Sequence, residues 1–181
     1  MAARAYRGNP YVKSVFVLLS LLALPVLALA AEEPVLYGRY EYIKLPEIGE
    51  TLKAKMDTGA LTSSLSARNI QRFERDGEQW VSFQLGSDKD DGKVYEHRLA
   101  RIAKVKNRIE EDDAREAADA AERPVIELSM CIGDNKQTVE ISLTDRSNFT
   151  YPLLIGVKGM RDFNAAINPM RRFTAGQPDC S

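Results

Sequence analysis

An Asp-Thr-Gly tripeptide at the end of a predicted strand holds the residues best suited to chemistry in this sequence. Asp57, Thr58 and Gly59 follow the segment Leu52–Met56, in which apolar residues alternate with two lysines. Such alternation is typical of a β-strand with one buried face. It brings a carboxylate and a hydroxyl to the end of the strand, next to a glycine that lets two backbones approach closely. The tripeptide is therefore either an ordinary strand-to-turn junction or one half of a two-carboxylate catalytic site.

A pair of carboxylates held a few ångströms apart can act as general base and general acid. Like charges at that separation cannot both ionise, so one pKa rises and the other falls. One group then accepts a proton from water while the other protonates or polarises the carbonyl of the bond that is cleaved. Since the sequence contains a single Asp-Thr-Gly, a two-fold homodimer in which each chain donates Asp57 completes the pair most simply.

Alternatives to the homodimer stay open at this point. A second acid of the same chain can complete the pair, and Asp145 and Asp162 are the candidates. For Asp145 we favour a loop interaction with the adjacent Arg146 over a catalytic role. In the remaining alternative, Asp57 is a non-catalytic turn residue of a monomer.

The rest of the chain predicts short strands rather than helices. The strand-like runs are Leu36–Leu45, Gln79–Leu85, Val94–Val105, Val125–Ile132, Thr138–Leu143 and Tyr151–Gly156. The segment 104–122 is rich in alanine and charge but has no apolar stripe, which is typical of a solvated helix or a mobile insertion. Because neither a sustained amphipathic helix nor strand–helix alternation occurs, we predict a mostly β fold.

The order of these blocks resembles that of the retropepsin-like aspartic proteases. In that family an Asp-Thr-Gly-Ala loop follows a strand, and hairpins then lead to an apolar-apolar-Gly strand, as Asp57–Ala60 and Leu154–Gly156 do here. The resemblance extends to a bacterial family often labelled ATP-dependent zinc protease, now viewed as retropepsin-like. Further blocks similar to that family are Leu45-Pro46, Thr62–Leu65, Arg123–Ile126, Leu143–Ser147 and Tyr151-Pro152.

This resemblance implies a small closed β-barrel with hairpins and little helix. It also implies an aspartic endopeptidase that acts on a peptide or protein substrate, with the homodimer supplying the second Asp57. The sequence has no P-loop and no cluster of His and Cys, so we predict no cofactor. Asp57, Thr58 and Gly59 are then the catalytic loop. The residues that line or support this loop are Ala60, Leu154, Ile155 and Gly156. A hairpin flap is expected over the substrate, formed by the predicted tip at 86–93 or by the charged segment 104–122.

Three positions depart from the family pattern. Leu61, Ser66 and Val157 stand where bacterial relatives commonly carry Arg, His and Arg. In the viral enzymes the last of these arginines makes a buried ion pair that supports the dimer, and here Lys158 or Arg161 is a candidate replacement. A catalytically inactive binding or scaffold domain of the same fold is therefore the alternative function.

The first thirty residues predict export. A basic start precedes the apolar run Val15–Ala30, which ends in small residues and is shorter than the roughly 20 residues of a spanning helix. We predict a signal peptide at 1–30, no stable membrane anchor, a periplasmic location and one domain at 31–181. Removing three basic residues from the 25 Lys and Arg leaves 22 against 26 Asp and Glu, a formal charge of −4 that argues against nucleic acid as a partner.

Cysteine and histidine are scarce. Cys131 and Cys180 can form an intramolecular disulfide in an exported protein, but free thiols and an intermolecular bridge are equally compatible with the sequence. The single histidine, His97, lies in a polar stretch and is expected at the surface of a strand. These three residues are too few for a closed zinc site, so we predict no metal ligands, and a metal-dependent hydrolase is the weakest of the alternatives.

Overall fold

The computed structural model describes residues 32–86, 92–105 and 121–180. The predicted signal peptide and most of both candidate flaps, at 86–93 and 104–122, lie outside these ranges. The described residues form eleven strands and one short helix. In chain order these elements are β1 Val35–Gly38, β2 Tyr40–Leu45, β3 Glu50–Met56, β4 Ser63–Arg75, β5 Glu78–Leu85, β6 Val94–Arg98, β7 Arg101–Val105, β8 Ala121–Ile132, β9 Asn135–Thr144, β10 Leu153–Ile155, α1 Val157–Asp162 and β11 Ala165–Asn168.

Six of the strands close a barrel. Their order is β10-β3-β2-β8-β9-β4, and β10 pairs again with β4, so the ring has no free edge. The pairs β10–β3 and β4–β9 are parallel, whereas β2–β3, β8–β9 and β10–β4 are antiparallel. β5 and β6 continue the sheet beyond β4, and β7 pairs with β8. The mostly β, closed-barrel fold expected from the sequence is confirmed.

The apolar side chains of these strands fill the interior of the barrel. On β3, Leu52, Ala54 and Met56 are buried while Lys53 and Lys55 face outward, as the alternating sequence predicts. A turn at Gly133 joins β8 and β9, and its positive φ of 60° suits a residue without a Cβ. Among the described residues, no helix is long and apolar enough to cross a membrane.

Two predicted strands are each two strands. The run Leu36–Leu45 is interrupted at Arg39, because β1 pairs with β11 whereas β2 pairs with β3. The run Val94–Val105 is interrupted at Leu99, where β6 leaves β5 and β7 begins its pairing with β8. Each interruption marks a change of pairing partner, which periodicity within one segment does not reveal.

The boundaries of the charged segment differ from the prediction, and a short helix was not expected. Lys104 belongs to β7, and β8 already begins at Ala121, so both ends of the predicted insertion are strand. The intervening residues 106–120 lie outside the described part of the chain. The helix α1 was not predicted, because its six residues are too few to show a helical periodicity.

The segment that follows β11 lies along β1 and β2 and is fixed there by a buried carboxylate. Glu41 is fully buried and accepts hydrogen bonds from the N–H of Gly38 (2.6 Å), the N–H and hydroxyl of Thr174 (3.0 and 2.6 Å) and the N–H of Ala175 (3.2 Å). These bonds satisfy a charge that would otherwise be costly to bury. Beyond them, Cys180 forms a disulfide with Cys131 at the end of β8, so the intramolecular option is the one observed.

Replacing Glu41 with glutamine is expected to lower the free energy of unfolding by about 2 kcal/mol. The variant loses the charge that strengthens these bonds and places an amide donor where carboxylate oxygens accept from backbone N–H groups. Urea unfolding of the variant and of Glu127→Gln, an exposed glutamate on β8, measures the difference. Equal stability of the Glu41 variant and the parent chain would show that the segment after β11 is not held by this carboxylate.

Candidate active site

The Asp57 loop is held between β3, β10 and the start of α1. The Asp57 N–H donates to the Ile155 carbonyl at 2.8 Å, and the Val157 N–H donates to the Ala60 carbonyl at 2.8 Å. The Lys158 N–H donates to the Leu61 carbonyl at 3.1 Å. The structure thus brings together the two predicted groups of site residues, Asp57–Ala60 and Leu154–Gly156, although they are about a hundred residues apart in the sequence.

Gly156 lies at the centre of this junction. A Cβ at this position would lie 2.6 Å from the carbonyl carbon and oxygen of Thr62 and 2.8 Å from the carbonyl oxygen of Ala60. Its N–H donates to the Ser63 hydroxyl at 3.2 Å. Leu154 and Ile155 are buried beside it. The close approach of the two backbones therefore depends on glycine at this position.

The Asp57 carboxylate is ion-paired with a lysine of its own strand. The Lys55 ammonium group lies 2.9 Å from Oδ2, and the Gly59 N–H donates to Oδ1 at 3.0 Å. The hydrogen bond from Lys55 lowers the pKa of Asp57, aided by the Gly59 N–H and by the charges of Lys55 and Arg146, while partial burial opposes the change. Asp57 is therefore a carboxylate at neutral pH and can accept a proton.

The role of Lys55 was missed in the sequence, although a signal was present. Residues two apart on a strand point to the same face, so Lys55 and Asp57 were placed to meet. The alternating pattern by itself indicates only that Lys55 lies on the outward face of β3. Opposite Lys55 in the β2–β3 register lies Tyr40, whose ring stacks on that of Tyr151 at 4.4 Å. The guanidinium of Arg39 lies 4.9 Å from the centre of the Tyr40 ring.

Arg146 is the second cation of the site and is buried. Its Nη1 donates to the Ser64 hydroxyl at 2.9 Å, its backbone N–H donates to the Ser66 hydroxyl at 3.3 Å, and its guanidinium lies 4.4 Å from the centre of the Phe149 ring. Burial lowers the pKa of Arg146 and the Arg123 charge lowers it further, whereas the Asp57 charge raises it. Ser66, one of the departures from the family pattern, thus helps to place this arginine.

The two acids that were predicted as possible partners of Asp57 within one chain are not among the groups that shift its pKa. Asp145 is exposed and its Oδ1 accepts from the Ser147 N–H at 2.8 Å, which corrects the expected pairing with Arg146. Asp162 ends α1, where burial and the Glu140 charge raise its pKa. Within the described ranges, the charges that shift the pKa of Asp57 come from Lys55 and Arg146 and not from either acid.

Of the remaining predicted residues, Thr58, Gly59 and Leu61 are exposed beside Asp57, and Val157 begins α1. His97 lies on β6 as predicted but is half-buried, with its ring 6.1 Å from that of Phe83, and burial lowers its pKa.

A closed six-stranded barrel that carries an Asp-Thr-Gly loop beside its closing strand defines the retropepsin-like class of proteins. Residues 36–178 match the model of the RimB-like family, described as retropepsin-like aspartic endopeptidase RimB. The chain belongs to this family.

The relatives of this chain include longer proteins and a protein of known structure. Probable alpha-L-glutamate ligases of Shewanella pealeana and Parasynechococcus marenigrum are 31% and 32% identical, covering 77% and 70% of this chain and 30% and 26% of their own length. The chain therefore spans less than a third of the curated relatives it matches. A crystal structure of a Legionella pneumophila protein of unknown function (DUF785) is 32% identical with a TM-score of 0.65, covering 78% of this chain and 98% of that one.

Proposed function

We propose that this protein is an exported aspartic endopeptidase that hydrolyses peptide bonds with Asp57, paired across a homodimer. The observation that carries the proposal is the position of Asp57 in a member of this family. Its carboxylate is 24% exposed at the tip of a loop whose backbone is bonded to β10 and α1. Such a loop offers an ionised group to solvent and substrate while holding it in a fixed direction.

The homodimer is proposed because a second carboxylate is required for the chemistry. In the described residues of one chain, neither Asp145 nor Asp162 is among the groups that shift the pKa of Asp57. Thr58, Gly59 and Leu61 are exposed around Asp57, and Leu61 is a large apolar side chain left 63% exposed. Contact between two copies through this loop would cover Leu61 and bring the two Asp57 carboxylates together across a two-fold axis.

The export proposal rests on the predicted signal peptide at 1–30. The disulfide between Cys131 and Cys180 supports it, because such bonds persist in oxidising compartments such as the periplasm.

Peptides that contain glutamate are the substrates we propose to test first. Matched relatives carry the name probable alpha-L-glutamate ligase, and cations lie beside Asp57 and around Tyr40, the residue paired with Lys55, in a chain of formal net charge −1. Lys55 touches the carboxylate, Arg146 acts on its pKa, and Arg39 and Arg172 lie 4.9 and 5.9 Å from the centre of the Tyr40 ring. Cations in this arrangement attract an acidic peptide.

Cleavage of a diverse unstructured peptide mixture, read by mass spectrometry with and without a chelator, tests the proposal. The parent chain and Asp134→Asn, an exposed turn variant, are expected to cleave, whereas Asp57→Asn is expected to lose activity at every pH. Loss of cleavage in Asp145→Asn or Asp162→Asn would indicate that an acid of the same chain, and not a second copy of Asp57, completes the carboxylate pair. Cleavage that survives Asp57→Asn but stops with the chelator would favour a metal-dependent hydrolase.

A binding or scaffold domain is the second candidate function. The observation that favours it is the ion pair between Lys55 and Asp57, which already neutralises the carboxylate in a single chain. Absence of cleavage by the parent chain across acidic to neutral pH, with folding intact, would favour this candidate.

A further inference from the structure

Each oxygen of the Asp57 carboxylate has its own donor. Oδ2 receives the Lys55 ammonium group at 2.9 Å and Oδ1 receives the Gly59 N–H at 3.0 Å. The Gly59 donor belongs to the loop itself and is present whatever side chain stands at position 55. The Lys55 donor is a separate group that carries a full charge and projects from the outward face of β3.

The charged groups that act on Asp57 come from two elements. Lys55 acts from β3, and Arg146 acts from the loop after β9. Arg146 is buried and hydrogen-bonded to Ser64 on β4. Replacing it would therefore disturb the packing of the barrel as well as remove a positive charge. Lys55 is 46% exposed and contacts Asp57 from outside the barrel, so its charge can be removed while the core stays intact.

We propose that Lys55 is a positioning residue of the reaction, which directs Oδ2 of Asp57 and holds that carboxylate charged, so that this ion pair sets the pH range of activity. The inference rests on the proposed function. In the paired-carboxylate reaction one Asp57 takes a proton from water as the water oxygen bonds to the peptide carbonyl carbon, and the protonated carboxyl of the second copy gives its proton to the carbonyl oxygen.

The positive charge of Lys55 determines the direction in which the pH profile of activity is displaced. Two neighbouring carboxylates repel, which favours retention of their shared proton, whereas a cation beside each carboxylate favours loss of that proton. Lysine at position 55 therefore displaces the pH range in which the pair holds one proton toward acid. Removing the ammonium group displaces both limbs of the pH profile toward higher pH, and high salt reduces the difference because the ion pair is partly exposed.

The test compares Lys55→Gln, Lys55→Arg and the matched control Lys53→Gln, which removes a lysine from the same face of the same strand. The measurement is kcat/KM for peptide cleavage from acidic to neutral pH, at low and high salt. We expect both limbs for Lys55→Gln to shift to higher pH, Lys55→Arg to restore the parent profile, and Lys53→Gln to leave it unchanged. An unchanged profile for Lys55→Gln overturns the inference, and so does a raised KM without a shift, which would assign Lys55 to substrate binding.

A second readout separates this inference from the proposed function. NMR titration of the Asp57 carboxyl carbon, in the parent chain and in Lys55→Gln, reports the ion pair without any cleavage. Titration at higher pH in the variant supports the assignment, and identical titration overturns it. Absence of cleavage by the parent chain overturns the proposed function, whatever the titration shows.

Discussion

Replacing Gly156 with alanine is expected to abolish peptide cleavage and to lower the free energy of unfolding by about 3 kcal/mol. The added Cβ would lie 2.6 Å from the Thr62 carbonyl and 2.8 Å from the Ala60 carbonyl oxygen. These are backbone atoms, so no side chain can rotate away, and either β10 or the loop that carries Asp57 must move. A displacement of the loop by even a fraction of an ångström misplaces the reacting carboxylate.

Gly59→Ala is the matched control, because it adds the same methyl group within the same site. A Cβ there meets only Asp57 Oδ1, at an ordinary distance of 3.4 Å. We expect this variant to unfold at the same urea concentration as the parent chain. If two copies meet at this loop, the peptide-cleaving activity of Gly59→Ala nevertheless falls, because the added methyl group lies in the contact between them. A Gly156→Ala protein with parental stability and activity would show that the junction between the loop and β10 is not as tight as described.

Loss of the disulfide between Cys131 and Cys180 is expected to lower stability by about 4 kcal/mol. The bond closes a loop across a sequence separation of 49 residues and therefore restricts the unfolded chain considerably. It also fixes the end of the segment that Glu41 holds through Thr174 and Ala175. Urea unfolding of the double variant Cys131→Ser, Cys180→Ser measures the effect, and the same experiment on the parent chain with reductant gives an independent value.

The Asp179 N–H, which donates to the Gly133 carbonyl at 2.7 Å beside the disulfide, provides a local reporter. Its hydrogen exchange is expected to accelerate on reduction, while amides inside the barrel, such as that of Leu128, stay protected. Unchanged unfolding and unchanged exchange after reduction would mean that the disulfide contributes nothing to holding the segment after β11.

Local patterns predicted the part of the site that lies within one segment. The alternation of Leu52–Met56 identified β3 and its buried face, and the Asp-Thr-Gly loop followed directly. The resemblance to retropepsin-like proteins added the closing strand at Leu154–Gly156. The β3 strand with its loop and the closing strand can each be recognised from a short stretch of sequence, without knowing which strands lie beside them.

Features that depend on distant partners were not predictable. Arg39 interrupts a strand because its N–H donates to the Arg171 carbonyl and its carbonyl accepts from the Met56 N–H. The short helix α1 is fixed by bonds from Val157 and Lys158 to carbonyls of the Asp57 loop. Arg146 is buried through contacts with serines some eighty residues earlier in the chain. In each case the determining contact is tertiary, and the local sequence carries no trace of it.

The most direct test of the central claim is the cleavage rate of the parent chain mixed with increasing amounts of Asp57→Asn after subunits have exchanged. The account predicts that the variant alone is inactive and that an equal mixture retains about half of the activity of the parent chain, because half of the parent chains are then paired with an inactive partner. A variant that cleaves at the parental rate, or parental activity that is unchanged by the variant, would contradict a reaction carried by two Asp57 carboxylates.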